Sequence, residues 1–246
     1  MPGMPELSSI IENDMRLVVK KILVAEWIIM VAMFVLVIIG VIIGFTNPVY
    51  FEEAYTREDG LVENLTAIAL FAAAVIVIVK LWRARGESTL RTACHVIFAL
   101  MLIFGAGEEI SWGQRIFGWE SGEFFLEHND QKETNLHNLI VNDTKINKFV
   151  FGQILTGFLA IYFLVLPFAF RGMKRVRAVV NRMGIPVPRV YQSLLFAVAY
   201  SMTLIIPAGR KWELGEMALA AVIVVVVINS YNNMGIAPGR KRHQAR

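Results

Sequence analysis

Residues 22–45 read ILVAEWIIMVAMFVLVIIGVIIGF, a run of twenty-four positions interrupted by a single charge, Glu26. A hydrocarbon core about 30 Å thick takes roughly 20 apolar helical residues to cross, so this stretch alone places the chain in a membrane. It is too long for the apolar region of a signal peptide, and no small-residue cleavage pattern follows it, so it reads as a retained first span. The composition agrees. Of the 246 residues 56% are hydrophobic and only 18% charged, with a mean hydropathy of +0.56, whereas soluble domains average about 45–50% apolar and about 25% charged.

Working outward, five further apolar segments approach spanning length, at 61–82, 90–107, 149–170, 190–208 and 214–231. The expectation is an all-α polytopic bundle of about six transmembrane helices, a single domain with a structured outer-face loop over 108–148. Charge orients it. The segments 1–21, 80–91, 171–189 and 234–246 hold 17 of the 24 Lys and Arg, while 15 of the 20 Asp and Glu lie in or beside 46–63, 108–148 and 209–216. The positive-inside rule then puts both termini in the cytoplasm, as in a bacterial inner-membrane protein.

A net charge of +4 and a pI near 9.3 need no nucleic acid. The densest basic run, Arg171, Lys174, Arg175, Arg177 and Arg182, interleaves with Met173, Val176, Val180 and Met183, the pattern of an amphipathic helix on an anionic leaflet. Membrane lipids are therefore the expected partner. The one cysteine, Cys94, excludes an internal disulfide and a cysteine-based zinc cluster.

Chemistry concentrates on the outer face. Three polar stretches lie where helices enter lipid: Glu58 to Asn64, Glu108 to Arg115, and Asn129 to Asn138. Continued as a helix, the second would set Glu108, Ser111 and Arg115 on one face and Glu109 on an apolar one with Trp112, Gly113 and Ile116. Glu109 would then be the carboxylate that needs a compensating cation or metal. In the third, Asp130 and Glu133 form a capping-box-like pair, and a helix would align Asp130, Glu133 and His137. Two carboxylates and an imidazole suit a borderline metal such as Zn, Mn or Fe, whereas a purely carboxylate site suits Ca or Mg. An N-cap pair beside a hydrogen-bonded histidine is the plainer alternative. His128 is a further candidate ligand, and Glu63, Asn64, Gln114, Asn135 and Asn138 complete the polar set. Glu216 joins it if the sixth span packs there.

These residues, Glu58-Asp59-Gly60 with Glu63, Thr66 and Ala67, then Glu108-Glu109-x-Ser111-Trp112-Gly113-Gln114-Arg115, then Asn129, Glu133, Asn135, Leu136, His137 and Asn138, resemble a pattern in uncharacterised bacterial multi-span integral membrane proteins. The resemblance covers about 55–140. It implies that the three segments act as one unit and names no activity.

The reading that follows is an intramembrane enzyme, a metal-assisted hydrolase or transferase acting on a lipid or lipid-linked headgroup. Glu133, His137, Asp130 and His128 would hold the metal; Glu108, Glu109, Ser111 and Arg115 would be the catalytic set. The alternatives are a proton- or cation-coupled transporter using the same carboxylates, and a non-catalytic membrane scaffold. Neither G-x-S-x-G nor H-E-x-x-H occurs.

Overall fold

A computed structural model describes residues 4–84, 88–129, 131–136, 138–141, 144–145 and 155–235, with side chains over 23–84, 88–129, 131–136, 138–140 and 157–234. The protein is a helical bundle. Helix α1 runs Met4–Thr46, α2 Leu61–Arg83 and α3 Thr89–Glu109. The segments Leu155–Ala160, Ile161–Val165 and Leu166–Gly172 follow one another as α4, whose middle is a π-turn. After it come α5 (Lys174–Met183), α6 (Val190–Leu204) and α7 (Lys211–Ile228). The only strands among the described residues are the antiparallel pair Ile140–Val141 and Thr144–Lys145.

Three helices are long and apolar enough to cross a membrane: Leu23–Thr46 within α1, then α2 and α3. At most 28% of each spanning window is buried, and the outward side chains are large and apolar, including Ile28, Val31, Ile68, Phe71, Ile97 and Met101. Water does not tolerate so continuous an apolar surface, and lipid does. A fourth span is possible if Gly157–Gly172 and α5 cross together, although they are bent by 116°. The basic and apolar residues that interleave over 171–183 thus lie on a separate helix, α5, turned sharply away from α4. Gly184, at φ 74°, ends it in the left-handed conformation, and Pro186 and Pro188 follow.

Helix α6, at 15 residues, is shorter than a full span. Helix α7 is the centre of the bundle, packed on α1, α2 and α6, while α2 packs in turn on α3. Its residues 217–228 are MALAAVIVVVVI, apolar all round, and all but a few are buried, as expected of a helix surrounded by protein. Leu214, Met217 and Val222 meet Met33, Val37, Phe51 and Ile206 on one side, and Val224 and Val227 meet Ala73, Ala74, Val77 and Leu102 on the other.

Polar residues close both ends of α7. At its C-terminal end Glu26, 1% exposed, accepts from Tyr191 Oη, from Gln192 Nε2 at 2.8 Å and from Asn229 Nδ2 at 2.7 Å. Arg189 in turn holds Asn229 through its carbonyl and side-chain oxygens at 3.0 and 2.9 Å. Lys80 Nζ donates to the Ile228 carbonyl at 3.0 Å. Glu26 therefore does not snorkel to a basic partner. It ties α1 to α6 and α7.

Candidate carboxylate site

Helix α3 ends at Glu109, and the chain reverses through Ser111, Trp112 and Gly113, all at positive φ (43°, 54° and 77°). Two successive non-glycine residues in the left-handed region are costly and persist only where the surroundings hold them. Here Trp112 folds back onto α3. Its Nε1 donates to Glu108 Oε1 at 2.9 Å, and its ring meets Phe104 edge-on at 5.6 Å. Gly107 makes room, since a Cβ there would lie 2.9 Å from the indole. Gly107→Ala is expected to push the indole away and lower stability by about 1–3 kcal/mol, which chemical unfolding of the purified protein would register; an unchanged unfolding curve would show that the turn does not depend on this contact.

This reversal corrects the expected face: Glu108, Ser111 and Arg115 do not share one helix. They converge by another route. Ser111 Oγ donates to Glu133 Oε2, Arg115 Nη2 pairs with Glu133 Oε1, and Asn135 Nδ2 donates to Ser111 Oγ at 2.9 Å. Arg115 Nη1 also pairs with Asp59, at the entry to α2. Gln131 Nε2 donates to Glu58, which also accepts from Arg210 Nη1 at 2.7 Å. The three polar stretches thus meet around Arg115, Glu133 and Glu58, joined by the entry to α7.

The helix expected over 129–140 is absent; its described residues form turns and bends closed by a bridge between Asn129 and Leu139. Asn129 is the reason. Its Oδ1 accepts from the backbone N–H groups of Gln131 and Glu133 at 2.9 and 3.3 Å, and its Nδ2 donates to the Asn135 carbonyl at 2.9 Å, so local side-chain bonds replace the helical ladder. Lys132, at φ 60°, breaks it again. Asp130, Glu133 and His137 therefore have no helical face to share, and Asp130 and His137 lie outside the described residues. Both oxygens of Glu133 are occupied by Arg115 and Ser111. His128 is exposed, stacked on Phe124 at 4.8 Å with Nδ1 bonded to the Phe124 carbonyl.

The remaining polar candidates hold the loop. Gln114 Oε1 accepts from Thr134 N and Ser121 Oγ at 2.9 and 3.0 Å. Asn64 Nδ2, in the first turns of α2, donates back to the Asp59 and Gly60 carbonyls at 3.0 and 2.8 Å. Asn138 donates its backbone N–H to Asn135 Oδ1 at 3.3 Å. Glu108 accepts from the Leu136 N–H at 2.6 Å as well as from Trp112.

Glu109 is different. It accepts no hydrogen bond and makes no ion pair among the described residues. Its carboxylate lies with those of Glu63, which is buried, and Glu213, one oxygen of each within 4.8 Å of the others. The three come from the start of α2, the end of α3 and the first turn of α7. Glu216 and Glu108 add to the repulsion that Glu109 feels. Among the described residues this is the one group of His, Cys, Asp and Glu arranged to hold a metal ion, and every ligand it offers is a carboxylate oxygen.

Arg210 guards the edge of this group. It donates to the Thr56 carbonyl at 2.7 Å, to Glu58, and to Glu213 Oε1 at 3.1 Å. Burial would lower its pKa, but the Glu58 hydrogen bond and the charges of Glu213, Glu58 and Glu63 outweigh that and leave it raised, a permanent cation. Nearby, burial pushes the Tyr55 phenol up to about 12, so it stays a neutral donor to the Leu36 carbonyl at 2.7 Å. Sequence reasoning gave no part to Arg210 and left Glu213 outside the site. The available signal was Glu213 and Glu216, three apart in the first two turns of an apolar helix.

No family model, no curated protein and no solved structure matches the chain.

Proposed function

We propose that the protein is a six-span inner-membrane enzyme, both termini cytoplasmic, that uses a divalent cation at its outer interface to hydrolyse or transfer a lipid or lipid-linked headgroup. The observation that carries this reading is the approach of Glu63, Glu109 and Glu213 from three helices, with Glu109 lacking any donor. Three carboxylates this close repel strongly when partly desolvated, and a divalent cation is the simplest compensating charge. An oxygen-only set favours Mg, Mn or Ca over the Zn or Fe that a histidine site would take.

Such a cation would polarise a phosphoryl or carbonyl oxygen and activate a bound water. The chain supplies the rest. Glu216, beside the trio, is placed to take a proton, and Arg210 to hold an anionic headgroup at the site's edge. Ser111 is 3% exposed and already bonded to Glu133, so it serves as a positioning group rather than a nucleophile. Arg115, engaged by Asp59 and Glu133, clamps the loop. Trp112, Phe117, Trp119 and Phe124 are all exposed and suit the headgroup level where such a substrate sits.

Transport through the same carboxylates is less well supported. Between Glu216 and Asn229 the central helix offers no polar side chain, about 18 Å of apolar packing at 1.5 Å per residue, whereas transport sites lie near mid-membrane.

Reconstitution into liposomes of bacterial lipid extract is the direct test, with water-soluble headgroups followed by mass spectrometry. Release is expected with Mg²⁺ or Mn²⁺, is stopped by a chelator, and falls at least about 100-fold in Glu109→Gln. Release that ignores both the chelator and the substitution, or no release from cation-loaded protein, would falsify the proposal.

A further inference from the structure

At the opposite, basic end of the molecule a cavity of about 220 Å³ opens between α3, α4, α7 and the turn after α5. Phe98, Met101, Phe158, Tyr162, Ile223 and Val227 are among the residues lining it. Its few polar groups are turned to the backbone: Tyr162 Oη donates to the Pro186 carbonyl at 2.7 Å and His95 Nε2 to the Gly184 carbonyl at 2.9 Å. The interior is therefore dry, since a water needs two to four polar partners. It exceeds the roughly 150 Å³ of an apolar cavity that takes up benzene.

The mouth faces the bilayer. Met101 and Phe158, on its rim, are 63% and 60% exposed on the outer surface of the bundle, where the surrounding medium is hydrocarbon. Above it lies α5, fastened to α3 by Arg91 Nη2, which donates to the Asn181 carbonyl at 2.7 Å. Arg182 directly precedes Met183, a lining residue. Arg175, seven residues earlier, shares its helix face, and both side chains are exposed. An apolar slot open to lipid, next to two exposed guanidinium groups at headgroup depth, matches one ligand in both its parts.

We infer that this cavity is the acyl-chain site of an anionic phospholipid from the leaflet at the basic end, its phosphate held by Arg175 and Arg182. The site is separate from the outer carboxylates and does not rest on the activity proposed for them. A lipid seated here would brace α4 and α5 against α3, where direct protein packing leaves the cavity.

Native mass spectrometry of the detergent-solubilised full chain tests this, with dioleoylphosphatidylglycerol and dioleoylphosphatidylcholine supplied at equal concentration. Wild type is expected to retain one phosphatidylglycerol in preference to phosphatidylcholine. Ile223→Trp and Cys94→Phe, which fill the cavity from two different helices, each reduce that adduct about tenfold. Replacing exposed Arg175 and Arg182 by Gln lowers the headgroup preference by about fivefold per arginine and leaves the fold intact. Thermal unfolding identifies any cavity variant that has lost its structure, and the arginine pair then decides. Equal retention of the two lipids by wild type, or adducts unchanged in the folded cavity variants, would overturn the inference.

Discussion

Detergent-purified protein titrated with Mn²⁺ is expected to bind about one equivalent, and Glu109→Gln to weaken that binding at least about 100-fold, because even a partner one shell removed from a metal is worth roughly 10–100-fold. Glu213→Gln should act alike. The contrast lies with two of the four ligands the sequence offered: Glu133→Gln and His128→Ala should leave affinity within about twofold, since Glu133 is held by Arg115 and Ser111 and His128 stacks on Phe124. Carboxylates bind the ion deprotonated, so affinity must fall as pH is lowered and protons compete.

A sign reversal separates loss of ligand from loss of fold. In chelator, Glu109→Gln removes one charge from a group of mutually repelling carboxylates, so its unfolding transition should lie at or above that of wild type. With cation at 100 times the dissociation constant, wild type gains about 2.7 kcal/mol by mass action and the variant gains almost none. A variant destabilised in chelator, or one that gains as much as wild type from Mn²⁺, would remove Glu109 from the site.

The sequence carried much of this, unevenly. The run 22–45 and the charge asymmetry announce a membrane bundle, and the alternation of basic and apolar residues over 171–183 predicts an amphipathic helix, which the structure has at Lys174–Met183, bent by 116° from the helix before it. The span count was harder to read. Helix α7 is as apolar as any lipid-facing helix, and hydropathy does not tell hydrocarbon from protein as a neighbour; only packing shows that α1, α2 and α6 surround it. At the site, Glu63 and Glu109 were visible as polar residues where helices enter lipid. Their partner Glu213 is 104 positions from Glu109, so their meeting depends on α7 lying against α2. The 129–140 loop misled because Asp130 and Glu133 have the spacing of a capping box, while the Glu133 N–H that such a box would satisfy is taken by the side chain of Asn129.

Glu26→Ala is expected to be the most destabilising single substitution in the molecule, at about 3–5 kcal/mol. The carboxylate is buried, and its removal leaves Tyr191 Oη, Gln192 Nε2 and Asn229 Nδ2 short of an acceptor, each unmet donor costing about 1–3 kcal/mol less whatever a relaxed neighbour or water recovers. Glu26→Gln should cost less, because it keeps one acceptor oxygen but turns an NH₂ toward groups that are themselves donors. Denaturant titration in mixed micelles gives both values, and a loss below about 1 kcal/mol for the alanine variant would show that apolar packing alone joins α1 to α6 and α7. The same series tests whether the two ends of α7 communicate. Because only apolar side chains lie between Glu216 and Asn229, the Glu26→Gln and Glu109→Gln effects on stability should add within about 0.5 kcal/mol, whereas a proton or ion path between the ends would couple them.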